Sequence, residues 1–268
     1  MRIAVIQMVS SAKVESSLSQ AENLISDAKS AEVDAIFLPE NFASLGNSAP
    51  REVAETEATK SPIQSFLAES ARHTNSWVFG GTVPLMGTHQ DPRVKATSLV
   101  FDEQGSEVGR YDKIHMFDVD VADEHRHYRE SDTFAHGDRL TLVQTPWAKV
   151  GLSVCYDIRF SELYLSLFKQ GAEVFSIPSA FTVPTGEAHF KLLMRARAVE
   201  SFAFTVAACQ GGAHDSGRQT YGHSMVVNPW GEVIAKAGIG EDVLIVDLDL
   251  AEVERARAAL PVLDQRRL

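Results

Sequence analysis

Residues 149–180 have the sequence KVGLSVCYDIRFSELYLSLFKQGAEVFSIPSA, and this stretch decides the predicted fold class. An apolar, β-like run ends at Cys155, a helical pattern follows in RFSELYLSLFKQGA, and the apolar run EVFSIPSA closes the stretch. The order strand, helix, strand predicts a parallel strand pair joined by a crossover helix. Cys155 then lies at the carboxyl end of a buried strand, where a rigid support presents a side chain to loops that a substrate can reach.

The start of the chain has the same order of patterns. RIAVIQM, residues 2–8, predicts a strand, and apolar residues recur at helical spacing between Leu18 and Ala28. DAIFLPE, residues 34–40, predicts a second short buried strand with Glu40 at its carboxyl end. Because active-site residues collect at the carboxyl ends of parallel strands, Glu40 is a candidate functional residue.

A hairpin is predicted between these two regions. ATSLVFDEQGSEVGRYDKI, residues 96–114, contains two strand-like runs with Gly105 in the turn, and Lys113 ends the second run. The following residues, 118–138, are polar and without periodicity, which predicts a long loop. Loops of this length in compact domains are often functional.

The other patterns extend this architecture along the chain. Two β-α-β halves with terminal hairpins predict an α/β fold of two sheets packed face to face, with helices outside. No shift of composition and no flexible linker divides the halves, so residues 1–268 are predicted to form a single domain. The remaining predicted elements are a helix over 61–74 with Ser61 as its cap, a strand over 77–84, a helix over 187–203, a strand over 204–212, a hairpin over 223–238 that turns at 228–231, a strand over 243–250 and a short helix from Ala251.

Composition limits the classes of partner. The chain has 268 residues, 44% of them apolar, and a formal charge of −11, which repels nucleic acids and anionic membranes. No apolar run approaches the roughly 18 residues of a membrane-spanning helix, and MRIAVIQM has no leader pattern, so a cytoplasmic location is expected. Two cysteines, Cys155 and Cys209, lie far apart in apolar runs and are predicted to be free thiols.

Glu40, Lys113 and Cys155 together form a candidate catalytic set. A thiolate can attack a carbonyl, a carboxylate can take the proton and an ammonium can stabilise the oxyanion of acyl transfer. A free thiol with a pKa of about 8.5 is only a few per cent ionised at neutral pH, so we expect a nearby base or cation to favour the thiolate. Neither an HExxH nor a paired CxxC motif occurs, so no metal is expected, and no GxGxxG spacing points to a dinucleotide.

Three blocks of sequence carry a family resemblance. LPE at 38–40, GRYDKIHMFD at 109–118 and GLSVCYDIRFSEL at 151–163 resemble, in order and spacing, the signature blocks of the nitrilase superfamily of carbon–nitrogen hydrolases. The resemblance implies a four-layer αββα sandwich, a cofactor-free Glu-Lys-Cys site and pairing into homodimers or larger assemblies. Further stretches that continue the match are PSAFTVPTGEAHF, LLMRARAVE, YGHSMVVNPWGEV and LPVLDQRR.

Roles for individual residues follow from this resemblance. It implies that Glu40 is the general base, Lys113 the oxyanion stabiliser and Cys155 the nucleophile. It also implies that Glu130, in RESDTFAHGDR, positions the substrate amide and the attacking water. By the same analogy, the backbone N–H of Tyr156 completes the oxyanion hole beside Lys113.

The later motifs narrow the expected substrate. PSAF, TGEAHF, RARAVE and YGHSMVVNPWG most resemble the branch that hydrolyses deaminated glutathione, next to the omega-amidases that act on 2-oxoglutaramate and 2-oxosuccinamate. Such substrates carry a carboxylate, and Arg159 is a candidate partner for it; an ion pair of Arg159 with Asp157 or Glu162 is the structural alternative. The other candidate pocket residues are Phe181, Thr182, Thr185 and His189.

The sequence therefore predicts an amidase that acts on a small acid-bearing amide and water. Cys155 attacks the amide carbonyl, ammonia or an amine leaves a thioester, and water activated by Glu40 releases the acid. Two alternatives remain open within enzymes, an omega-amidase and a carbamoyl-amino-acid hydrolase. A catalytically idle binding protein on the same fold is the alternative from another class.

Overall fold

The structure, a computed structural model, describes residues 1–46, 49–88, 90–121, 123 and 126–267. No helix in these ranges has the length and apolar composition needed to cross a bilayer. The helices are α1 (Val14–Lys29), α2 (Pro50–Lys60), α3 (Pro62–Thr74), α4 (Ser161–Lys169), α5 (Val183–Thr185), α6 (Lys191–Ser201) and α7 (Ala251–Ala259), with 3-10 helices at Glu130–Asp132 and Cys155–Arg159 and a π-helix at Gly186–Phe190. The strands are β1 (Arg2–Gln7), β2 (Ala35–Phe37), β3 (Trp77–Phe79), β4 (Val83–Leu85), β5 (Lys95–Phe101), β6 (Glu107–Asp112), β7 (Asp118–Asp120), β8 (His127–Arg129), β9 (Leu142–Gln144), β10 (Lys149–Leu152), β11 (Val174–Ser176), β12 (Phe204–Ala207), β13 (Gly211–Ala213), β14 (Gln219–Tyr221), β15 (Met225–Val227), β16 (Val233–Lys236) and β17 (Asp242–Asp247).

Two main sheets contain most of these strands. The first has the order β17-β1-β2-β3-β5-β4, with β6 paired to β5, and the second has the order β16-β15-β12-β11-β10-β9. The runs β1-β2-β3 and β10-β11-β12 are parallel, whereas the flanking strands pair antiparallel. The predicted β-α-β units are therefore confirmed in both halves of the chain, and so is the hairpin formed by β5 and β6.

Alternating side chains explain why the sheets form four layers with helices. In β1, Ile3 and Val5 lie in the core between the two sheets, whereas Ala4 and Ile6 lie in a second core with residues of α1 and α3. Successive strand side chains point to opposite faces, so a strand that is apolar on both faces needs a partner on each side. α4 and α6 pack against the second sheet and complete the predicted αββα sandwich.

α2 was not predicted, and it changes how α3 begins. α2 ends just before Ser61, which was predicted to cap α3, but the Ser61 side chain makes no capping hydrogen bond. The buried carboxylate of Glu57 accepts the N–H groups of Ile63 and Gln64 instead, at 2.7 and 3.2 Å. Ser61 is at the predicted N-cap position with Pro62 next to it, but the carboxylate that binds the free N–H groups comes from the preceding helix.

The segment 118–138, predicted to be a loop, contains a small antiparallel ribbon. β7 and β8 pair along three residues each, and a 3-10 helix follows directly at Glu130–Asp132. Strands this short are below the length at which alternation is visible in a sequence. Residues 122, 124 and 125 of this segment lie outside the described residues.

The two sheets are joined at the end of the sandwich where their parallel strands finish. Met8, after β1 of the first sheet, forms a bridge with Gln210, after β12 of the second, and a bridge between Ser179 and Cys209 continues the pairing within the second sheet. The amide Nε2 of Gln210 also donates to the backbone C=O of Glu40 at 3.1 Å. The chain segments that follow the strands of both sheets are thereby held against each other.

Gly81 sets how closely the segment before Glu40 can approach β3. Its φ is 54°, and a Cβ atom at this position would lie 1.9 Å from the backbone O of Pro39. An L-residue would be strained in this backbone conformation and would also push the Pro39 carbonyl away.

We expect Gly81→Ala to lower the free energy of unfolding by about 3–5 kcal/mol, since it combines left-handed strain with a backbone clash. Gly240→Ala is the matched control, because Gly240 has a φ of 94° and an added Cβ there meets nothing within 4 Å. The control should lose only about 1–2 kcal/mol. Denaturant unfolding measures both, and equal losses would contradict the close-approach explanation.

Candidate active site

Cys155 occupies a strained turn directly after β10. Its φ is 46°, in the left-handed region, and it begins the 3-10 helix Cys155–Arg159. The turn is fixed on both sides, because the N–H of Cys155 donates to the C=O of Pro178 at 2.9 Å and the N–H of Val154 donates to Asp157 Oδ2 at 2.8 Å. Non-glycine residues persist in such conformations only where their surroundings over-determine them. The side chain is 7% exposed and lines a cavity of about 290 Å³.

The structure brings the predicted carboxylates and ammonium to this thiol. Lys113 Nζ lies 2.8 Å from Glu40 Oε1 and 2.9 Å from each carboxylate oxygen of Glu130. Glu40 also acts on the Cys155 thiol, as a negative charge and as an acceptor for its proton. Lys113 is 2% exposed and Glu40 4%, so these charges interact with little screening by solvent. Glu130 Oε2 also accepts the N–H of Phe117 at 2.6 Å, which fixes its carboxylate toward Lys113.

Burial and the charges of the cluster together set the pKa values of Cys155 and Lys113. Burial raises the pKa of the Cys155 thiol well above its ordinary value, and the charge of Glu40 raises it further. Lys113 and the N–H of Ala180 act in the opposite direction but are outweighed. Burial lowers the pKa of Lys113, but the carboxylates of Glu130 and Glu40 overcome it and hold that pKa well above its ordinary value.

Cys155 is therefore a neutral thiol in the resting protein. The expectation that a nearby base or cation favours the thiolate is wrong, because burial and the charge of Glu40 outweigh the attraction of Lys113. A neutral thiol beside a carboxylate predicts a reaction in which the proton passes to Glu40 only as the sulfur attacks.

Asp157 fixes the Cys155 turn to the segment that carries Lys113. This carboxylate is fully buried, and its Oδ2 accepts the hydroxyl of Tyr111 at 2.8 Å as well as the N–H of Val154. Its Oδ1 accepts the N–H of His115 at 3.0 Å and lies 2.6 Å from the ring Nδ1. Tyr111 and His115 flank Lys113 in the chain, so Asp157 sets the position of the ammonium relative to the thiol. Sequence reasoning treated Asp157 only as a partner of Arg159.

The expected substrate-binding residues divide into two groups. Phe181 and Thr185 line the cavity, as does Tyr156, whose backbone role in the oxyanion hole stays a prediction. Thr182 does not line it and pairs with the hydroxyl of Thr185 at 2.8 Å.

Arg159 and His189 lie away from the described cavity wall, with Arg159 Nη1 3.3 Å from His189 Nδ1. The guanidinium of Arg159 lies over the rings of Tyr156 and Phe181, each 5.7 Å from the ring centroid. Within the described chain Arg159 forms no ion pair with Asp157 or Glu162, because Asp157 is already engaged by the Lys113 segment.

Several cavity residues were missed by sequence reasoning. Most come from segment 118–138 or from the turn between β13 and β14, where no periodic pattern indicates which side chains point inward. Two features of the sequence could have indicated residues of the cavity. One is the charged residue next to Glu130, and the other is the arginine in the polar turn GGAHDSGRQTYG. These additional lining residues are Asn41, Phe117, His127, Tyr128, Arg129, Phe134, Ala180 and Arg218.

The arrangement can carry out acyl transfer. A thiol with an adjacent carboxylate, an ammonium and a second carboxylate provides a nucleophile, a base and charge stabilisation around one cavity. Across the residues that the structure describes, no cluster of three or more His, Cys, Asp or Glu side chains could hold a metal ion. The site therefore contains the groups that an enzyme of thiol-dependent acyl transfer needs.

Comparison with known proteins gives the family. A model of the carbon-nitrogen hydrolase family matches residues 2–258, and this chain belongs to that family. Over 265 residues it is 38% identical to a deaminated glutathione amidase from Yersinia enterocolitica, which covers 99% of this chain and 92% of that protein. It is 36% identical to an omega-amidase from Danio rerio over 269 residues, covering 99% and 94% of the two chains.

A solved structure agrees with this assignment. Nit3 from Saccharomyces cerevisiae, a member of branch 10 of the nitrilase superfamily, has a TM-score of 0.89 to this chain at 30% sequence identity. The match covers 100% of this chain and 97% of that one. The resemblance to the nitrilase superfamily is confirmed, and the protein is a hydrolase that acts on amides.

We expect Asp157→Asn to lower the free energy of unfolding by about 2–4 kcal/mol, because an amide has one acceptor oxygen and leaves buried donors without partners. Asp112→Asn is the control, since its Oδ1 accepts from Thr97 at a partly exposed position and an amide oxygen can do the same. The control should lose less than about 1 kcal/mol. Denaturant unfolding measures both variants, and a loss for Asp157→Asn no larger than the control's would contradict its bracing role.

Alkylation by iodoacetamide should report the neutral thiol and its base. Because Glu40 accepts the proton during attack, we expect the rate at Cys155 to change less than about threefold between about pH 6 and 8. A free thiol gains about 80-fold over the same range. Glu40→Gln should slow the reaction at least about 100-fold. Mass spectrometry follows each cysteine, with buried Cys209 as the internal control; an unchanged rate in Glu40→Gln would disprove the role of the base.

Proposed function

We propose that this protein hydrolyses the amide bond of a small carboxylate-bearing substrate through a thioester on Cys155. The observation that carries the proposal is the buried cluster in which Lys113 binds Glu40 and Glu130 beside the thiol. Acyl transfer needs these groups within hydrogen-bond distance of one reacting carbonyl. The roles of Tyr156 in the oxyanion hole and of Glu130 toward water are those that the family resemblance implies.

The first half-reaction forms the thioester. Cys155 Sγ attacks the amide carbonyl carbon while its proton passes to Glu40, and the negative charge moves to the carbonyl oxygen. Lys113 and the N–H of Tyr156 stabilise this oxyanion, and one such donor typically contributes about 3–4 kcal/mol in the transition state. When the carbon–nitrogen bond breaks, Glu40 returns the proton to nitrogen, and ammonia or an amine leaves.

The second half-reaction restores the thiol. Water, held by Glu130, loses a proton to Glu40 and attacks the thioester carbonyl, and the same donors hold the new oxyanion. The carbon–sulfur bond breaks, the acid departs, and Cys155 regains its proton from Glu40. The chain returns to the neutral thiol that its burial favours.

The names of relatives support the substrate class. We propose an amide of the deaminated glutathione kind as substrate, with the omega-amidase reaction as the second candidate. Relatives with these names are 38% and 36% identical to this chain over nearly its full length. The cavity of about 290 Å³ has space for a short acyl chain beside the thiol, and arginines in its wall suit a carboxylate.

Incubation with a panel of small acid-bearing amides tests the proposal. We expect ammonia or amine release, and mass spectrometry should detect the acyl group on Cys155 during turnover. Cys155→Ala should lose turnover by at least about 1,000-fold, because the nucleophile and the thioester are both removed. Cys209→Ala, which removes the other buried thiol, is the matched control and should retain activity.

Full turnover in Cys155→Ala would disprove the assignment. Absence of turnover and of any acyl adduct with every amide in the panel would favour the idle binding protein. An adduct with carbamoyl amino acids alone would move the assignment to the carbamoyl-amino-acid hydrolases.

We further propose that two copies pair through a face formed by α6 and the turn between β15 and β16. Leu192 and Val199, both on α6, are 66% and 43% exposed, and Trp230 in the turn is 53% exposed. Gly231 lies against α6, since its C=O accepts from Arg195 Nε at 2.6 Å, so the three apolar side chains share one surface. Exposed apolar patches of this kind mark interfaces. A monomer mass in light scattering would contradict pairing.

We also propose that residues 1–268 fold as a single domain in the cytoplasm. The shared core between the two sheets supports one cooperative unit, and two separate calorimetric transitions would contradict it. The two free thiols suit a reducing compartment. Recovery of the protein with the membrane or secreted fraction would contradict the location.

A further inference from the structure

The cavity beside Cys155 has a second cationic residue at its wall, Arg218. This residue follows β13 and lies in the turn that leads into β14. Its Nη2 donates to the C=O of Ala180 at 3.3 Å, and its guanidinium lies 5.8 Å from the ring centroid of Tyr128. Its Nε is buried and has no hydrogen-bond partner among the residues that the structure describes. A buried guanidinium N–H without a partner is costly unless a ligand completes it.

The other lysine and arginine side chains in the described lining of the cavity are already paired with carboxylates. Lys113 is shared by Glu40 and Glu130. Arg129 donates to Asp120 Oδ1 at 2.9 Å and to two backbone C=O groups. Arg218, in contrast, has no carboxylate partner in the described part of the chain. Among the described residues that line the cavity, Arg218 is therefore the lysine or arginine whose charge is left for an anion.

The charge of the catalytic cluster makes such a cation necessary. Glu40 and Glu130 carry one more negative charge than Lys113 compensates. A substrate with a carboxylate would be repelled by this excess at short range in a poorly solvated cavity. A guanidinium that binds the carboxylate through two parallel hydrogen bonds reverses that repulsion and orients the substrate.

Ala180 fixes the separation between Arg218 and the reacting sulfur. Its N–H donates to the Cys155 sulfur, and its C=O accepts from Arg218. Bond lengths and hydrogen-bond distances along this path put the guanidinium at most roughly 11 Å from Sγ. A bound substrate would lie about 3 Å from the sulfur at its amide carbon and about 3 Å from the guanidinium at its carboxylate. At most roughly 5 Å then remains between the amide carbon and the carboxylate of the substrate, which is the span of up to about four carbon–carbon bonds.

We propose that Arg218 binds the carboxylate of the substrate and selects amides whose carboxylate lies up to about four bonds from the amide carbon. This inference rests on the proposed amidase function and adds to it the residue that determines specificity. Arg159, the candidate for this role from the sequence, is not among the residues that line the described cavity.

A matched pair of substrates tests the role of Arg218. Glutaramate carries a carboxylate four bonds from its amide carbon, and glutaramide carries a second amide in place of that carboxylate. Arg218→Met keeps most of the side-chain volume and removes the charge. Arg218→Lys keeps the charge but loses the paired hydrogen bonds. Arg110→Met removes one positive charge on β6, outside this cavity, and controls for net charge.

We expect Arg218→Met to raise KM for glutaramate by about 10- to 100-fold, the range for a lost hydrogen bond to a charged group. For glutaramide, KM should change less than about threefold, and kcat for both should change little, since Arg218 does not contact the reacting atoms. Arg218→Lys should recover part of the preference for glutaramate. Arg110→Met should retain the wild-type preference.

Equal losses for both substrates in Arg218→Met would overturn the proposal, because that pattern indicates a structural role. A preference that disappears in Arg129→Met and persists in Arg218→Met would overturn it as well. If the wild-type protein hydrolyses neither amide, the proposed reaction fails for this pair, and calorimetric binding to Cys155→Ala still tests Arg218. The proposal is supported if Cys155→Ala binds glutaramate more tightly than glutaramide and the double variant with Arg218→Met loses this difference. Equal binding of the two amides by Cys155→Ala would overturn it.

Discussion

The buried ammonium of Lys113 is held between two carboxylates, and the geometry and protonation of the site follow from this interaction. A charge that is removed from water is stable only if opposite charges and hydrogen bonds replace the solvent. Glu40 and Glu130 provide both, at 2.8 and 2.9 Å. Burial, with the charge of Glu40 added to it, raises the pKa of the neighbouring Cys155 thiol against the attraction of Lys113 and keeps that thiol protonated. In the proposed reaction, Cys155 is therefore activated only when its proton moves to Glu40.

This cluster exists only when the two sheets pack face to face. Glu40 and Lys113 follow strands of the first sheet, Cys155 follows a strand of the second, and Glu130 comes from the ribbon segment between them. Asp157 links the second sheet to the Lys113 segment through hydrogen bonds to Tyr111 and His115. Folding and formation of the site are thus one event, because each partner of the ammonium depends on the interface between sheets.

Local patterns were sufficient to predict much of the framework. The parallel strand pairs, the hairpin with Gly105 in its turn and the positions of Glu40, Lys113 and Cys155 at strand ends are each encoded within about ten residues of sequence. Sequence patterns failed where the structure depends on a side chain from another helix or on strands too short to show alternation. Glu57 caps α3 from the preceding helix, and β7 and β8 are each only three residues long.

The sequence by itself determined the order of strands and helices, the residue types at the strand ends and the resemblance to a family, since these depend on periodicity and spacing along the chain. Only the tertiary structure decided that Cys155 is a neutral thiol and that Arg218, not Arg159, borders the cavity. The physical reason is that burial and electrostatic energy sum over groups that are distant in sequence. Neither sum can be taken before the two sheets and the turns between their strands are in place.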